Sequence, residues 1–584
     1  MRHSSHICQP ETVLFIGAGA SAQLAMPTTN EQAGILFKLC DSATVGEEQI
    51  TAKCFLERKR EIIALLTLLD YPGDSIHDFT EEQERHFEVA FPGLSGEAAK
   101  ARTVQLRRTF DWPALKAVAK VLKENAPPQG SKRWDDFIGL YLQGVYNLID
   151  VLLREERGLN VESSDEPPVF LGRKRLLAAR ECCIMLANTM FACAWQDLAT
   201  TADGQERLRP YRAFADALAE LMEDEALQLE RAGHPLHRRS FYLFSYSILT
   251  TNFEPIFLWL IYQAHKKRNQ GNPARLGHPG RKLQLMLDFP NTVGMHTLAD
   301  EDEEIPTLKR DITYPYTEAV VQKVNDERHL SDRVARVGKY YFVHGSSNFR
   351  HCPRCGRLNL YVGDSWDENS PTLFAPGVIA PFSWNVQART DAEKEARARG
   401  EYDAMECLFC GQMTYAQHNF MHMQTNFKGR SPSFLKEITD EALAGLTGAR
   451  HVVLLGYRFP PDDGIWTSNF RAMLPKARGQ EVYCTVAVGY TGPNKWLCGA
   501  ELKEYRRNHD RHNDNGSGIE AIENAIAIFG EDHVRAYTGG TPQVFHDGDK
   551  EFIRELLYPT AATWPGLPEI FTAGGVDRRD FLRP

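Results

Sequence analysis

The apolar run Val13-Leu14-Phe15-Ile16 passes directly into Gly17-Ala18-Gly19-Ala20-Ser21, and this junction constrains the fold more than any other stretch. An unbroken apolar run without alternation predicts a strand buried on both faces, as in the interior of a parallel sheet. The glycines that follow let the main chain come close to another backbone or to a bound phosphate, because no Cβ intervenes. Alone, the pattern fits a tight strand-to-helix turn as well as a nucleotide cradle, in which amides opening the next helix face the anion.

With 584 residues, 43% hydrophobic and 25% charged, the chain has ordinary globular composition and room for two to four domains or one large domain with insertions. A formal net charge of -10 opposes a surface built to neutralise nucleic acid, so direct nucleic-acid binding is not expected. The first ten residues lack the apolar core of an export signal. The apolar stretches Cys182 to Trp195 and Phe257 to Tyr262 are too short to span a bilayer. A cytoplasmic protein without a membrane partner is expected, and apolar settings for Cys182, Cys183 and Cys193 fit a reducing compartment.

Strands are expected at Tyr246–Thr250, Lys339–Val343, His451–Gly456, Glu481–Val488 and Val534–Tyr537. Helices are expected at Pro255–His265, Ser433–Ala444, Trp466–Leu474 and Ile519–Phe529. Such alternation predicts an α/β fold with a Rossmann-like parallel sheet, whose ligands lie at the carboxyl ends of the strands. Between about residues 40 and 243 the spacing is helical, as in Trp134, Phe137, Ile138, Tyr141 and Val145. The expected organisation is a discontinuous nucleotide-binding domain (1–30, 244–350 and 430–545), a large helical insertion (31–243), a small zinc-binding domain (351–429) and a C-terminal helix and tail (546–584). The acidic run Asp300–Glu304 reads as a solvated loop, and the basic stretch Lys266–Lys282 as a weaker candidate for a partner contact. His509, Asp510 and His512 fall in a loop rich in Asn, Asp and Gly.

Two strand ends carry groups suited to chemistry. Thr250-Thr251-Asn252-Phe253-Glu254 brings a carboxamide and a carboxylate, and His344-Gly345 an imidazole, towards one crevice. Asn252 can hold a water or a ribose hydroxyl, and His344 can take a proton from it, which together suit cleavage of a glycosidic bond. Cys352-Pro353-Arg354-Cys355 and Cys407-Leu408-Phe409-Cys410 are two knuckle turns whose thiolates can complete a tetrahedral, structural zinc site.

In order, Gly-Ala-Gly-Ala-Ser, Thr-Thr-Asn-Phe-Glu, His-Gly, two Cys-x-x-Cys pairs and a late strand ending in glycine resemble the sirtuin superfamily over residues 13 to about 490. Ala375-Pro376-Gly377-Val378-Ile379-Ala380-Pro381-Phe382-Ser383-Trp384-Asn385 and Leu455-Gly456-Tyr457-Arg458-Phe459-Pro460-Pro461-Asp462 look more closely like the sirtuin-like NAD hydrolases of bacterial antiphage defence. The resemblance implies that NAD is the substrate, that Asn252 and His344 are catalytic, and that Gly17, Ala18, Gly19, Ala20 and Ser21 hold the diphosphate. It also implies cofactor contacts from Pro27, Thr28, Thr251, Glu254, Gly456 and Tyr457, with Glu254 standing where relatives carry Asp. Ala25-Met26-Pro27-Thr28-Thr29-Asn30 lacks the Phe and Arg that protein deacetylases carry after the first turn, which favours water over an acylated peptide as acceptor. A deacylase and a non-catalytic NAD or ADP-ribose sensor remain as alternatives. Uncontrolled NAD loss would poison a host, so the resemblance further implies gating, by self-assembly or by a separately encoded partner such as an ATPase or sensor.

Overall fold

The structure is a computed structural model. It describes residues 11–40, 57–70, 79–131, 133–161, 168–278, 280–288, 292–293, 324–326, 332–361, 372–380, 386–422, 432–460, 463–472, 481–487, 489, 494–509 and 518–567. The acidic run 300–304, residues 381–385, Pro461, Asp462, Asp510 and His512 lie outside these.

Two compact units divide the chain: residues 1–24, 202–345 and 432–584 form one, and 25–201 with 346–431 the other. The helical stretch read as one insertion is thus shared between them, and the cysteine-bearing segment belongs with its first part.

The first unit is built on a nine-stranded sheet. Its strands are β1 (Thr12–Ile16), β2 (Leu243–Thr250), β3 (Arg275–Leu276), β4 (Arg281–Asp288), β5 (Arg333–Phe342), β6 (His451–Leu455), β7 (Tyr483–Ala487), β8 (Trp496–Leu497) and β9 (Val534–Tyr537). The spatial order is β8-β9-β7-β6-β1-β2-β5-β4-β3. All neighbours from β9 to β4 are parallel, and only the edge strands β8 and β3 are antiparallel. Every residue of β1, β2, β6 and β7 is buried, and β1 and β6 accordingly carry the unbroken apolar runs Val13–Ile16 and Val452–Leu455.

The strands expected at 246–250, 339–343, 451–456, 481–488 and 534–537 are all present, as are the four expected helices, here Ile256–Gln270, Ser433–Gly448, Gly464–Ala472 and Ile519–Phe529. The basic stretch Lys266–Lys282 holds all of β3 and the start of β4. Arg281 starts β4, buried, donating to the carbonyls of Val324, Asn325 and Asp326. Lys267 pairs with Asp216 at 3.0 Å and Arg268 with Glu223 at 3.1 Å. These pairs tie the end of the helix Ile256–Gln270 to the helix Ala202–Arg231.

Two buried arginines pin helices to the sheet. Arg336 of β5 has a fully buried side chain and donates to Glu225 (2.9 Å) and to the carbonyls of Met222 and Phe241 (2.6 and 2.8 Å). It thereby fixes the helix Ala202–Arg231. Arg535 of β9 donates to Thr485 Oγ1 and to Glu555, while His451 bridges Thr485 and the carbonyl of Leu557. Burial and the nearby Arg535 hold the His451 pKa down at about 3, so the ring sits neutral in this network.

The second unit is mainly helical, and the helix Trp134–Arg154 follows the spacing read from sequence. It also contains an antiparallel hairpin, Leu159–Val161 with Val169–Leu171, in a region read as free of strands. A buried Arg102–Asp403 ion pair joins the helix Gly96–Thr109 to the segment carrying the second cysteine pair. The helix Arg173–Thr200 runs 28 residues, the span its sequence predicts, and reaches a mean hydropathy of 1.4 over an 18-residue window. It is long and apolar enough to cross a membrane, yet 67% of that window is buried inside the protein, as in a core helix.

At Gly456 backbone packing tolerates no side chain. Its φ is +61°, and an added Cβ would fall 2.0 Å from the Ala20 nitrogen, whereas at Gly464 nothing lies within 4 Å. Gly456→Ala should cost about 3 kcal/mol or more. Gly464→Ala should be close to neutral; equal denaturation midpoints for the two variants would contradict this packing.

Candidate functional site

Register aligns four strand ends. Ile16 of β1 pairs with Thr250 of β2 and Leu455 of β6, and Thr250 pairs with Phe342 of β5. The loops carrying Gly17, Thr251, Val343 and Gly456 therefore leave one edge of the sheet side by side. Asn252 and His344 each stand two residues beyond a paired position on adjacent strands.

The glycine turn is locked against the loop after β6. Gly17 N–H donates to the Leu455 carbonyl and Gly19 N–H to the Gly456 carbonyl, both at 2.9 Å; Ala20 and Ser21 N–H donate to Gly17 and Ala18. A Cβ on Gly17 or Gly19 would approach the Gly456 oxygen to 2.8 or 2.7 Å. Tyr211 Oη and Thr541 Oγ1 donate to the carbonyls of Ala20 and Gly19 (2.8 and 3.3 Å). The glycines thus serve backbone-to-backbone contact, and four amides of the run already have protein acceptors, with Ala18 exposed at the tip. Two single 3-10 turns, Ala18–Ala20 and Ala22–Leu24, directly follow the glycines, and the next helix along the chain begins at Thr29.

Beside the turn lies a buried polar cluster. Asn252 Nδ2 donates to Glu254 Oε1 at 2.9 Å and to Ser21 Oγ at 3.4 Å. The Asn252 amide donates to Thr250 Oγ1 at 3.0 Å, and the Thr251 amide continues the sheet ladder to the Ile16 carbonyl. Held so, Asn252 Oδ1 is buried without a hydrogen-bond partner, although the residue is only 5% exposed. An orphaned buried acceptor costs about 1–3 kcal/mol, and it is the kind of group a ligand donor satisfies. Glu254 is fully enclosed, and burial pushes its pKa up to about 7 despite hydrogen bonds from Ser21 and Asn252. His344 is buried too, with Nε2 3.2 Å from Asp463 Oδ1 and its ring 6.4 Å from that of Phe253.

The other residues expected at the site have the following surroundings. Tyr457 is 3% exposed and packs against Phe15 and Phe459 at 4.6 and 5.1 Å between centroids. Pro27 and Thr28 belong to the second unit, where Thr28 caps the helix Thr29–Leu39 in a reciprocal box with Glu31, and the Pro27 carbonyl accepts from Gln32. Asp463 was not singled out from the sequence. The signal was an acid directly after the motif closing β6, where a side chain starting the next helix turns back over the strand ends.

The cysteines gather in the second unit. Cys352 and Cys410 sulfurs are 3.6 Å apart, those of Cys355 and Cys407 3.7 Å, and all four lie within 4.8 Å of one another. Zn–S bonds of about 2.3 Å in a tetrahedron put sulfurs about 3.8 Å apart, so the set fits a metal ion such as zinc. Both turns are built alike: Gly356 and Gly411, at φ +68° and +71°, donate to the carbonyls of Cys352 and Cys407. Asn359, on the strand after the first turn, holds the second, donating to Cys407 Sγ and accepting from the Leu408 amide.

A separate open cavity of about 870 Å³ lies past the end of β9, bordered by Arg209, Asn494, Tyr537, Gln543, His546 and Phe552. None of the residues expected at the site lines it. Compared with known proteins, the chain matches no family model and no curated protein.

Glu254 makes stability depend on pH with a definite sign. An acid whose folded pKa lies above its unfolded value binds more protons when folded, so stability falls as pH rises from about 4.5 to about 7. The full span corresponds to about 3 kcal/mol at most. Glu254→Gln should remove this part of the slope, narrowing the gap in unfolding free energy between pH 5 and pH 8 by about 1–3 kcal/mol. An unchanged gap in urea titrations would contradict the burial of this carboxyl.

Proposed function

We propose that the chain is an NAD hydrolase, releasing nicotinamide and ADP-ribose, on a Rossmann-like sheet. The observation that carries this reading is the shared register of four strand ends, which sets Asn252 and His344 on adjacent loops beside the interlocked glycine turns. In spatial order, β2 and β5 lie on one side of β1 and β6 and β7 on the other, and ligands of doubly wound sheets sit where the order reverses. Together with the sirtuin-like motif order, this favours a dinucleotide.

In this reading Asn252 Oδ1 accepts from a ribose hydroxyl or from the attacking water. Water adds its oxygen to C1′ of the nicotinamide ribose, the C–N bond leaves with its electron pair on nicotinamide, and His344 takes the proton water loses. Glu254, near the nicotinamide by analogy with the family's Asp, reaches neutrality half protonated, able to donate to a carboxamide oxygen. Because Gly17, Gly19, Ala20 and Ser21 amides are already bonded, the diphosphate would meet the turn at its exposed Ala18 edge.

Asn252, Glu254 and His344 are each under a tenth exposed. Such enclosure suits an effector that opens on a trigger, whether self-assembly or a separate partner, in bacterial antiphage defence. The four cysteines would hold a structural zinc, with no position left for water; metal analysis finding no zinc in the purified chain would remove that part.

Incubation of the full chain with NAD, read by chromatography, should show free nicotinamide. His344→Ala and Asn252→Ala should each lower turnover about 10²- to 10⁴-fold, the reach of a positioned general base. Near-wild-type release by both folded variants overturns the mechanism. Normal NAD binding with no nicotinamide would instead favour a non-catalytic sensor.

A further inference from the structure

His344 and Asp463 leave strands that are not neighbours. His344 follows β5, and Asp463 opens the helix after β6, in a sheet ordered β6-β1-β2-β5. With about 4.8 Å between adjacent strands, the two loops start about 14 Å apart. Yet His344 Nε2 lies 3.2 Å from Asp463 Oδ1, with side chains only 8% and 6% exposed. The loops therefore reach towards each other across the ends of β1 and β2, which carry Gly17–Ser21 and Thr251–Glu254.

An ionised carboxylate can only accept hydrogen bonds, so the nitrogen facing it must carry the proton. In a neutral imidazole this leaves the lone pair on Nδ1. We propose that Asp463 is a positioning residue for His344: it fixes the Nε2–H tautomer, makes Nδ1 the base, and steadies the imidazolium that forms when Nδ1 is protonated. The inference rests on the NAD hydrolysis proposed above. In that step the water O–H bond breaks as its oxygen joins C1′, the proton moves to Nδ1, and the Nε2–H bond to Asp463 is kept throughout. A carboxylate in this role orients and stabilises without becoming protonated itself.

The competing account is a purely structural Asp463, whose amide donates to the Pro460 carbonyl just before the helix Gly464–Ala472. Tautomer and kinetic readouts separate the two. In the full chain labelled with ¹⁵N-histidine, His344 should give the Nε2–H tautomer, and Asp463→Asn should shift it towards Nδ1–H. Asp463→Asn should lower kcat about 10²- to 10⁴-fold with KM within about threefold, and Asp463→Glu, which keeps the carboxylate, should recover at least about tenfold of that loss. An Nδ1–H tautomer in the unmodified chain overturns the proposal, as does Asp463→Asn turnover within about threefold of it. Should the unmodified chain release no nicotinamide, the hydrolase reading fails, while the tautomer measurement still decides the pairing.

Discussion

The close contact of two backbones, the turn after β1 and the turn after β6, is the constraint from which the arrangement at the strand ends follows. Gly17 and Gly19 present bare main chain to Gly456, and the amides of both glycines end on carbonyls of the other loop. Central parallel strands normally diverge into separate connections; here two connections are joined one residue beyond the sheet. That junction sets the depth at which Ser21 sits, and Ser21 in turn accepts from Asn252. A side chain at any of the three glycines would have to part the loops and, with them, the polar cluster.

From this junction the chemistry acquires its character. Asn252 is held by Glu254 and Ser21 in one orientation, and its remaining acceptor faces inward unmatched. Glu254 is kept partly neutral at physiological pH by its enclosure rather than by a neighbouring charge. Across the same edge, the His344–Asp463 pair ties the β5 and β6 connections together. Asn252, Glu254 and His344 are all buried at this edge, and the enclosure suits the preorganised site proposed above.

Much of the sheet was legible because its central strands are buried on both faces and so read as continuous apolar runs, Val13–Ile16 and Val452–Leu455 among them. β4 escaped that reading, since Arg281 and Lys282 open it and only the carbonyl cage around Arg281 makes a buried cation tolerable there. The knuckles were legible from spacing, but not the burial of Arg102 against Asp403, which depends on a contact between residues 301 positions apart. The glycine turn was read by its residue types as a phosphate cradle. The carbonyls that accept from the Gly17 and Gly19 amides lie more than 430 residues along the chain, beyond any local pattern. Asp463 was hidden for a similar reason: its relation to His344 exists only once strand order is known.

The most direct measurement is a crystal structure of the His344→Ala chain soaked briefly with NAD, where the expected loss of turnover of about 10²- to 10⁴-fold leaves substrate to be seen. The account predicts the nicotinamide ribose beyond the ends of β1 and β2, with a hydroxyl within hydrogen-bond distance of Asn252 Oδ1. A dinucleotide lodged instead in the cavity beside Arg209 and Tyr537, with Asn252 Oδ1 still unmatched, would contradict it.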